Sequence, residues 1–439
     1  MHAPQSEVAP TSAVTDGERL RVAVVIQRYG ADITGGAESH ARMVVQRLAT
    51  RFQVEVLTSC ARDHTDWAMF FAPGLENVDG VAVRRFAHPV RNDIGRARVP
   101  ERHRWRFKLR RLLRLLGWPA VAQPTGDARH DGLEFLRRQG PHCPDLLAWL
   151  ATSAERYDAV IFFTALYEPT ALGLPAWGRR SVLVPLLHDE KPVYLPWFHR
   201  VFASAGALLF NTEVERQLAW RLYQPDAVMQ DVVGVGIDSV EVLPEAIAAA
   251  RTRLGIGRRY LLYAGRVDVS KGCPSLLVAF ESLSQRLTGG PLADVQLVLM
   301  GERFMEVPQQ ARTVCTGFVA SADRDALIAG AAALVIPSRF ESLSLVLLEA
   351  FAAGTPVVAN GDCEVLAAHV KTSGAGQTYR TKSGFVDALE QALKLPDEER
   401  RRRGGLGQRY VRERYSWERV MAKYDAALAL VMQQPAGRR

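Results

Sequence analysis

The stretch from Ala332 to Asn360, AALVIPSRFESLSLVLLEAFAAGTPVVAN, leaves few folds open to this chain. A short apolar run, Ala333 to Ile336, is stopped by Pro337-Ser338, as in a buried parallel strand ended by a breaker. A run rich in Leu, Glu and Ala from Leu343 to Ala353 has the length and composition of one buried helix, and Gly354 closes it as a C-cap residue. Val357-Val358-Ala359 begins the next strand, so the unit reads strand–loop–helix–strand. A carboxylate, Glu341, stands at the helix mouth and a second, Glu349, lies eight positions on.

Eight helical residues span about 12 Å with roughly 80° of rotation between the two side chains. That is too far for two carboxyl groups flanking one glycosidic bond, which need about 5–9.5 Å. Two readings of Glu341 and Glu349 remain. They hold the two ends of an elongated polar ligand whose diphosphate sits over the helix N-terminus, or they are a surface Glu and a core-edge Glu on an amphipathic helix.

A second loop bears on that choice. The apolar strand Tyr260 to Ala264 runs into Gly265-Arg266-Val267-Asp268-Val269-Ser270-Lys271-Gly272, and a helix follows from Pro274 to about Arg286. Two cations bracket this strand-to-helix loop, where fixed positive charge would stabilise a departing diphosphate. Read alone, they are also a plain pair of surface cations. The combination of G-R-x-x-x-x-K-G with E-x7-E resembles the donor site of the retaining enzymes of glycosyltransferase family 4. Those enzymes have the GT-B fold, an α/β architecture of two Rossmann-like domains facing each other across a cleft. The resemblance covers roughly residues 20 to 430 and is strongest from 260 to 360.

Carried over residue by residue, the resemblance implies that Arg266 and Lys271 hold the diphosphate, that Glu341 faces the sugar and that Glu349 holds the ribose hydroxyls. Gly265, Ser342, Leu343, Ser344, Leu345 and Val319 would line the donor through loop backbone. The family has Phe-Gly where this chain has Leu343-Ser344, so Ser344 approaches the donor less freely than glycine would.

The N-terminal part reads the same way. A first strand from Arg21 to Gln27 leads through Arg28–Gly36 to a helix from about Ala37 to Thr50. Gly35 and Gly36 at that turn allow close backbone approach to a phosphate or sugar, or simply make a βα turn; the resemblance places them between donor and acceptor. Further strands are expected at 54–58, 81–86, 158–163, 181–187 and 207–210. His188-Asp189-Glu190 follows the fourth of these, at the carboxyl end where parallel sheets bind ligands. His188 either binds substrate hydroxyls and orients the reacting face, or is a hydrogen-bonded loop histidine. Thr212 and Glu215 form a capping-box pattern.

Domain bounds follow: a tail at 1–18, an acceptor domain at 19–240 with a basic insertion at about 88–150, a donor domain at 241–412, and a helix and tail at 413–439 that cross back to the first domain. Within the insertion, Arg96 to Arg114 carries nine Lys or Arg and one acid, Glu101, among Trp105, Leu109, Leu112 and Leu113. That pattern fits a membrane-surface helix, or a charged helix whose Leu stripe packs on its own domain. A second basic stretch, Asp397 to Arg414, is expected to be a helix interrupted by glycines.

Composition narrows the class. Net charge is +8, which fits an anionic ligand, a membrane or nucleic acid, but no nucleic-acid recognition motif accompanies it. No apolar run approaches the length of a membrane span. Five scattered cysteines (Cys60, Cys143, Cys273, Cys315 and Cys363) with no C-x-x-C fit a reducing cytoplasm and no zinc site; Cys363 reads as a buried apolar residue. No G-x-G-x-x-G opens either domain, which argues against a nicotinamide dehydrogenase.

The expectation is a metal-independent hexosyltransferase without a cofactor. It would take a nucleotide-diphosphate sugar, UDP or GDP foremost, and a glycan or lipid-linked acceptor. It would work in cell-surface polysaccharide or glycolipid synthesis, in the cytoplasm or at the inner face of the membrane. The competing readings are a GT-B epimerase or phosphorylase, and a catalytically silent membrane-bound partner.

Overall fold

The computed structural model describes residues 19–33, 35–64, 66–89, 109, 128–153, 155–239, 241–309 and 312–434. The tail at 1–18 and all of 96–118 except Leu109 lie outside these residues.

The chain builds two sheets. The first contains β1 (Arg21–Val25), β2 (Gln53–Ser59), β3 (Gly74–Val78), β4 (Val81–Phe86), β5 (Ala159–Phe163), β6 (Ser181–Val184), β7 (Ala207–Phe210) and β8 (Met229–Val232). Its order is β3-β4-β2-β1-β5-β6-β7-β8, parallel throughout except for the β3–β4 edge pair. The second contains β9 (Tyr260–Ala264), β10 (Gln296–Met300), β11 (Thr313–Gly317), β12 (Ala333–Ile336), β13 (Val357–Asn360) and β14 (Gly376–Tyr379). It is all parallel, in the order β11-β10-β9-β12-β13-β14. Strands β3, β8, β11 and β14 were not foreseen. Their residues are exposed or half-buried, so they lack the apolar run that marks a buried strand.

The helices are α1 (Gly36–Leu48), α2 (Ala128–Gln139), α3 (Pro144–Thr152), α4 (Glu168–Trp177), α5 (Trp197–Ser204), α6 (Glu213–Tyr223), α7 (Pro244–Arg253), α8 (Cys273–Arg286), α9 (Ser321–Gly330), α10 (Leu345–Ala352), α11 (Glu364–Ser373), α12 (Lys382–Leu393), α13 (Asp397–Arg414) and α14 (Trp417–Met432). Each sheet has an apolar cluster on both faces, as expected of parallel strands buried on two sides. The last helix, α14, buries Val420, Met421, Tyr424, Leu428 and Val431 on the first sheet, in one cluster with Val44 and Val45 of α1. Its predecessor α13 packs on α10, under the second sheet.

Three expectations are corrected. The stretch 397–414 is one uninterrupted helix. Two of its glycines sit at a helix–helix contact, where a Cβ at Gly404 would fall 2.4 Å from the Gly354 carbonyl oxygen and one at Gly407 would lie 3.2 Å from Phe351 Cα. The strand expected over 181–187 ends at Val184, because Leu186 takes a left-handed conformation (φ 50°). The helix expected over 343–353 is the shorter α10, so Glu341 lies in the loop before it and the two carboxylates are not on one helix.

Candidate functional site

Strand order decides which loops meet. In the second sheet the strand order reverses between the parallel neighbours β9 and β12, which brings the loops after these strands, 265–272 and 337–344, side by side at the carboxyl edge. Gly272 shows how tightly they fit. It has φ 81°, and a Cβ there would fall 2.6 Å from the Pro337 carbonyl oxygen. Across this contact Lys271 Nζ donates to Glu341 Oε1 at 2.9 Å. Residues 70 apart in sequence thus form one half-buried pair.

Arg266, the other expected cation, points across to the first sheet. Its Nη1 donates to His64 Nε2 at 2.7 Å, and its guanidinium lies 5.9 Å from the Phe304 ring. Burial, followed by the charges of Arg266 and Arg28, lowers the His64 pKa and keeps the ring neutral, the form that can accept this bond. The loop after β2 therefore touches the loop after β9.

A second crossing joins β7 to β12. Asn211 Nδ2 reaches Ser342 Oγ at 3.5 Å and Thr212 Oγ1 donates to the Ser342 carbonyl at 3.3 Å. Thr212 Oγ1 also accepts the Glu215 backbone N–H at 3.1 Å, as the capping pattern requires. The Glu215 carboxylate reaches further. It accepts the backbone N–H groups of Leu187 and Asn211, each at 2.5 Å. Burial pushes its pKa up to about 8 against the pull of these backbone donors. Glu215 thus ties the strained Leu186–His188 turn to the loop that touches Ser342. His188 itself is half-buried, with Nδ1 3.2 Å from the Leu186 carbonyl, Nε2 3.3 Å from Glu190 and the Phe340 ring 6.3 Å away.

At the N-terminal turn Gly35 is the N-cap of α1. A Cβ at Gly35 would fall 1.9 Å from Glu38 Oε2, so glycine lets Glu38 fold back over the turn. There Glu38 Oε1 accepts from Gln27 Nε2 at 2.9 Å and from Arg28 Nη2 at 2.7 Å. A Cβ at Gly36 would meet nothing within 4 Å.

Ser344 is the N-cap of α10 and has φ 69°, so serine sits in the conformation that suits glycine. Its hydroxyl is buried without a hydrogen-bond partner. Leu343 is buried, and Ser342 and Leu345 are half-buried beside it. Glu349, one turn into α10, pairs with Arg324 Nη1 at 3.2 Å. Burial raises the Glu349 pKa while Arg324 opposes the shift. Gly265 follows β9 directly, and Val319 is half-buried between β11 and α9.

The expected residues Arg266, Lys271, Glu341, Ser342 and His188 therefore gather where the carboxyl edges of the two sheets meet. Glu349 sits at the next turn, beside α9. His64, Glu215, Glu38 and Arg324 were missed by sequence reasoning. Only Glu215 carried a local signal, its capping box. Among the described residues no group of three or more His, Cys, Asp or Glu is placed to hold a metal ion, and no helix is long and apolar enough to cross a membrane. Cys363 is buried with a raised pKa, as expected of an apolar filler.

Residues 258–394 match the family model described as glycosyl transferases group 1. Over 240 residues the chain is 33% identical to the D-inositol 3-phosphate glycosyltransferase of Saccharomonospora viridis, covering 50% of this chain and 54% of that protein. The chain thus spans about half the length of the first curated relatives it matches. The fold agrees over nearly the whole chain with Anabaena HepE, solved in complex with UDP and glucose (TM-score 0.64, 17% identity, 93% of this chain and 99% of that one). It agrees equally with sucrose-phosphate synthase from Thermosynechococcus elongatus (TM-score 0.62, 18% identity, 93% and 98%). The two parallel sheets are those of a GT-B fold, as the sequence implied.

Proposed function

We infer that this chain is a retaining hexosyltransferase using a nucleotide-diphosphate sugar, a reading supported by the match of residues 258–394 to the group 1 glycosyl transferases, glycosyltransferase family 4, and by the GT-B fold shared over 93% of the chain. The observation that carries this reading is the Lys271–Glu341 contact at the β9/β12 crossing, with Arg266 on the same loop. One cation and one carboxylate there suit the two ends of a sugar–diphosphate linkage.

In the reaction, the bond between the anomeric carbon and the diphosphate oxygen breaks with its electron pair staying on the diphosphate. The acceptor hydroxyl oxygen bonds to that carbon and its proton passes to the departing diphosphate. Arg266 and Lys271 stabilise the charge that develops on the leaving group. Lys271 must turn from Glu341 to the diphosphate as donor binds, which releases Glu341 to the sugar hydroxyls. Glu349 receives the ribose hydroxyls, and the loop backbone from Ser342 to Leu345 lines the donor, with Gly265 and Val319 beside it. His188, Gly35 and Gly36 face the acceptor side. Two fixed cations provide the charge that a divalent ion would otherwise bring, so the activity is expected to be independent of metal.

UDP-glucose is the first donor to test, since HepE was solved with UDP and glucose. Acceptors to test are a phosphorylated cyclitol, from the name of the curated relatives, and lipid-linked or polysaccharide glycans. Association with the inner membrane face through 96–118 belongs to the same proposal. The test is calorimetric titration with UDP, GDP, ADP and dTDP, with magnesium and with EDTA, followed by transfer assays with the sugar donors of the base that binds. Binding of one nucleotide in EDTA, lost in Lys271→Ala, is the expected result. No binding of any of the four would overturn the reading.

A further inference from the structure

Glu349 is a carboxylate that its surroundings press towards the neutral form. It is half-buried on α10, and both its burial and the nearby Asp325 raise its pKa. Arg324, from the first turn of α9, opposes this through Nη1, 3.2 Å from Glu349 Oε1. The same guanidinium bonds Asp325 Oδ1 through Nε at 3.2 Å and Nη2 at 3.1 Å. One cation is thus stretched between two acids, and its contact with Glu349 uses a single carboxylate oxygen.

The protonation state of Glu349 matters for a neighbouring diol. Two adjacent hydroxyls offer two O–H donors. An ionised carboxylate is acceptor-only and meets both with charged oxygens, whereas a protonated one carries no charge and gives up one oxygen's acceptor capacity to its own O–H. Hydrogen bonds to a charged acceptor are also roughly twice as strong as neutral ones. The contact is local, since α9 begins two residues after Val319 in the loop that leaves β11.

We propose that Arg324 is a positioning residue that holds Glu349 ionised and aimed, and thereby makes the site select nucleotides with an intact ribose diol over their 2′-deoxy counterparts. This rests on the donor-site reading above. Arg324 makes no contact with the reacting atoms in this scheme; it acts through Glu349.

The experiment is calorimetric titration of the full chain with UDP and 2′-deoxy-UDP, and with GDP and 2′-deoxy-GDP, for the wild type, Arg324→Met and Arg324→Lys. The wild type should prefer one ribose nucleotide by about tenfold over its 2′-deoxy form, the worth of a hydrogen bond to a charged acceptor. Arg324→Met should bring the two forms to within about twofold of each other, the change falling on the ribose form, and Arg324→Lys should restore part of the preference. A preference unchanged in Arg324→Met overturns the proposal, as does an equal loss of affinity for both forms in both variants. A wild type that binds nucleotide without preference also overturns it while leaving the donor-site reading intact. A wild type that binds none of the four overturns both.

Discussion

Lys271 Nζ and Glu341 Oε1 lie 2.9 Å apart, so the cation expected to take the diphosphate and the carboxylate expected to take the sugar occupy one another before any donor arrives. Each keeps the other from being stranded half-buried and unpaired. In the proposed function, donor binding exchanges this bond for two new ones. Lys271→Ala should therefore lower kcat/KM for transfer by about a hundredfold or more, the loss of roughly 3 kcal/mol of stabilisation on a developing charge. Steady-state kinetics together with a melting curve will check this. Near-wild-type turnover would remove Lys271 from the chemistry.

Ser344 sets a separate test. Its φ of 69° and its unpartnered buried hydroxyl both favour glycine at this position. Ser344→Gly should stabilise the chain by about 1 kcal/mol, the order of a left-handed residue's strain. Urea unfolding gives the number. A loss of stability would mean that the hydroxyl helps to hold α10.

Glu215 links pH to stability. Its folded pKa of about 8 stands above the usual carboxylate value, so between these limits the folded chain holds a proton that the unfolded chain has released. The contribution of Glu215 therefore makes stability fall as pH rises from about 4.5 towards 8. Glu215→Gln should flatten that part of the profile. Glu215→Ala leaves the Leu187 and Asn211 N–H groups without this acceptor and should cost about 2–6 kcal/mol. Chemical denaturation of the three proteins at pH 5.5 and 8 separates these effects.

Two buried histidines act in the opposite direction. Burial lowers the pKa of His40 to about 3 and that of His369 to about 4. Both stay neutral when folded and gain a proton on unfolding below about 6.5. Their contribution to stability is thus present above that pH and lost as pH falls towards 4. His40 packs edge-on against Phe163, with ring centroids 5.4 Å apart. His40→Phe should make unfolding less sensitive to acid between pH 6.5 and 4, read from urea midpoints across that range. An unchanged acid slope would show that His40 does not carry it.

Much of the chain was legible in advance because burial writes itself locally. Val22–Val25, Ala159–Phe163 and Leu261–Tyr263 are strands with both faces covered, and unbroken apolar runs announce them. Strands β3, β8, β11 and β14 were invisible for the same reason, since none is fully buried. The glycines of α13 suggested breaks because propensity treats glycine as a helix weakener. In the fold Gly404 and Gly407 let the helix pass close to Gly354 and Phe351, where a Cβ would crowd the contact.

The sequence by itself determined the alternation of strand and helix and the cation and carboxylate motifs, which depend on neighbours within one turn or one loop, and the GT-B architecture was implied by the resemblance those motifs carry. The tertiary structure decided the partners. Lys271 meets Glu341 because strand order reverses between β9 and β12, and Arg266 meets His64 across 202 residues because the carboxyl edges of two sheets face each other. How readily Glu349 and Glu215 carry charge likewise depends on burial and on donors from other elements, Arg324 for one and the Leu187 backbone for the other. Periodicity records which face of a segment leaves water. Electrostatics depends on distance in space, and that exists only once the chain has crossed over itself.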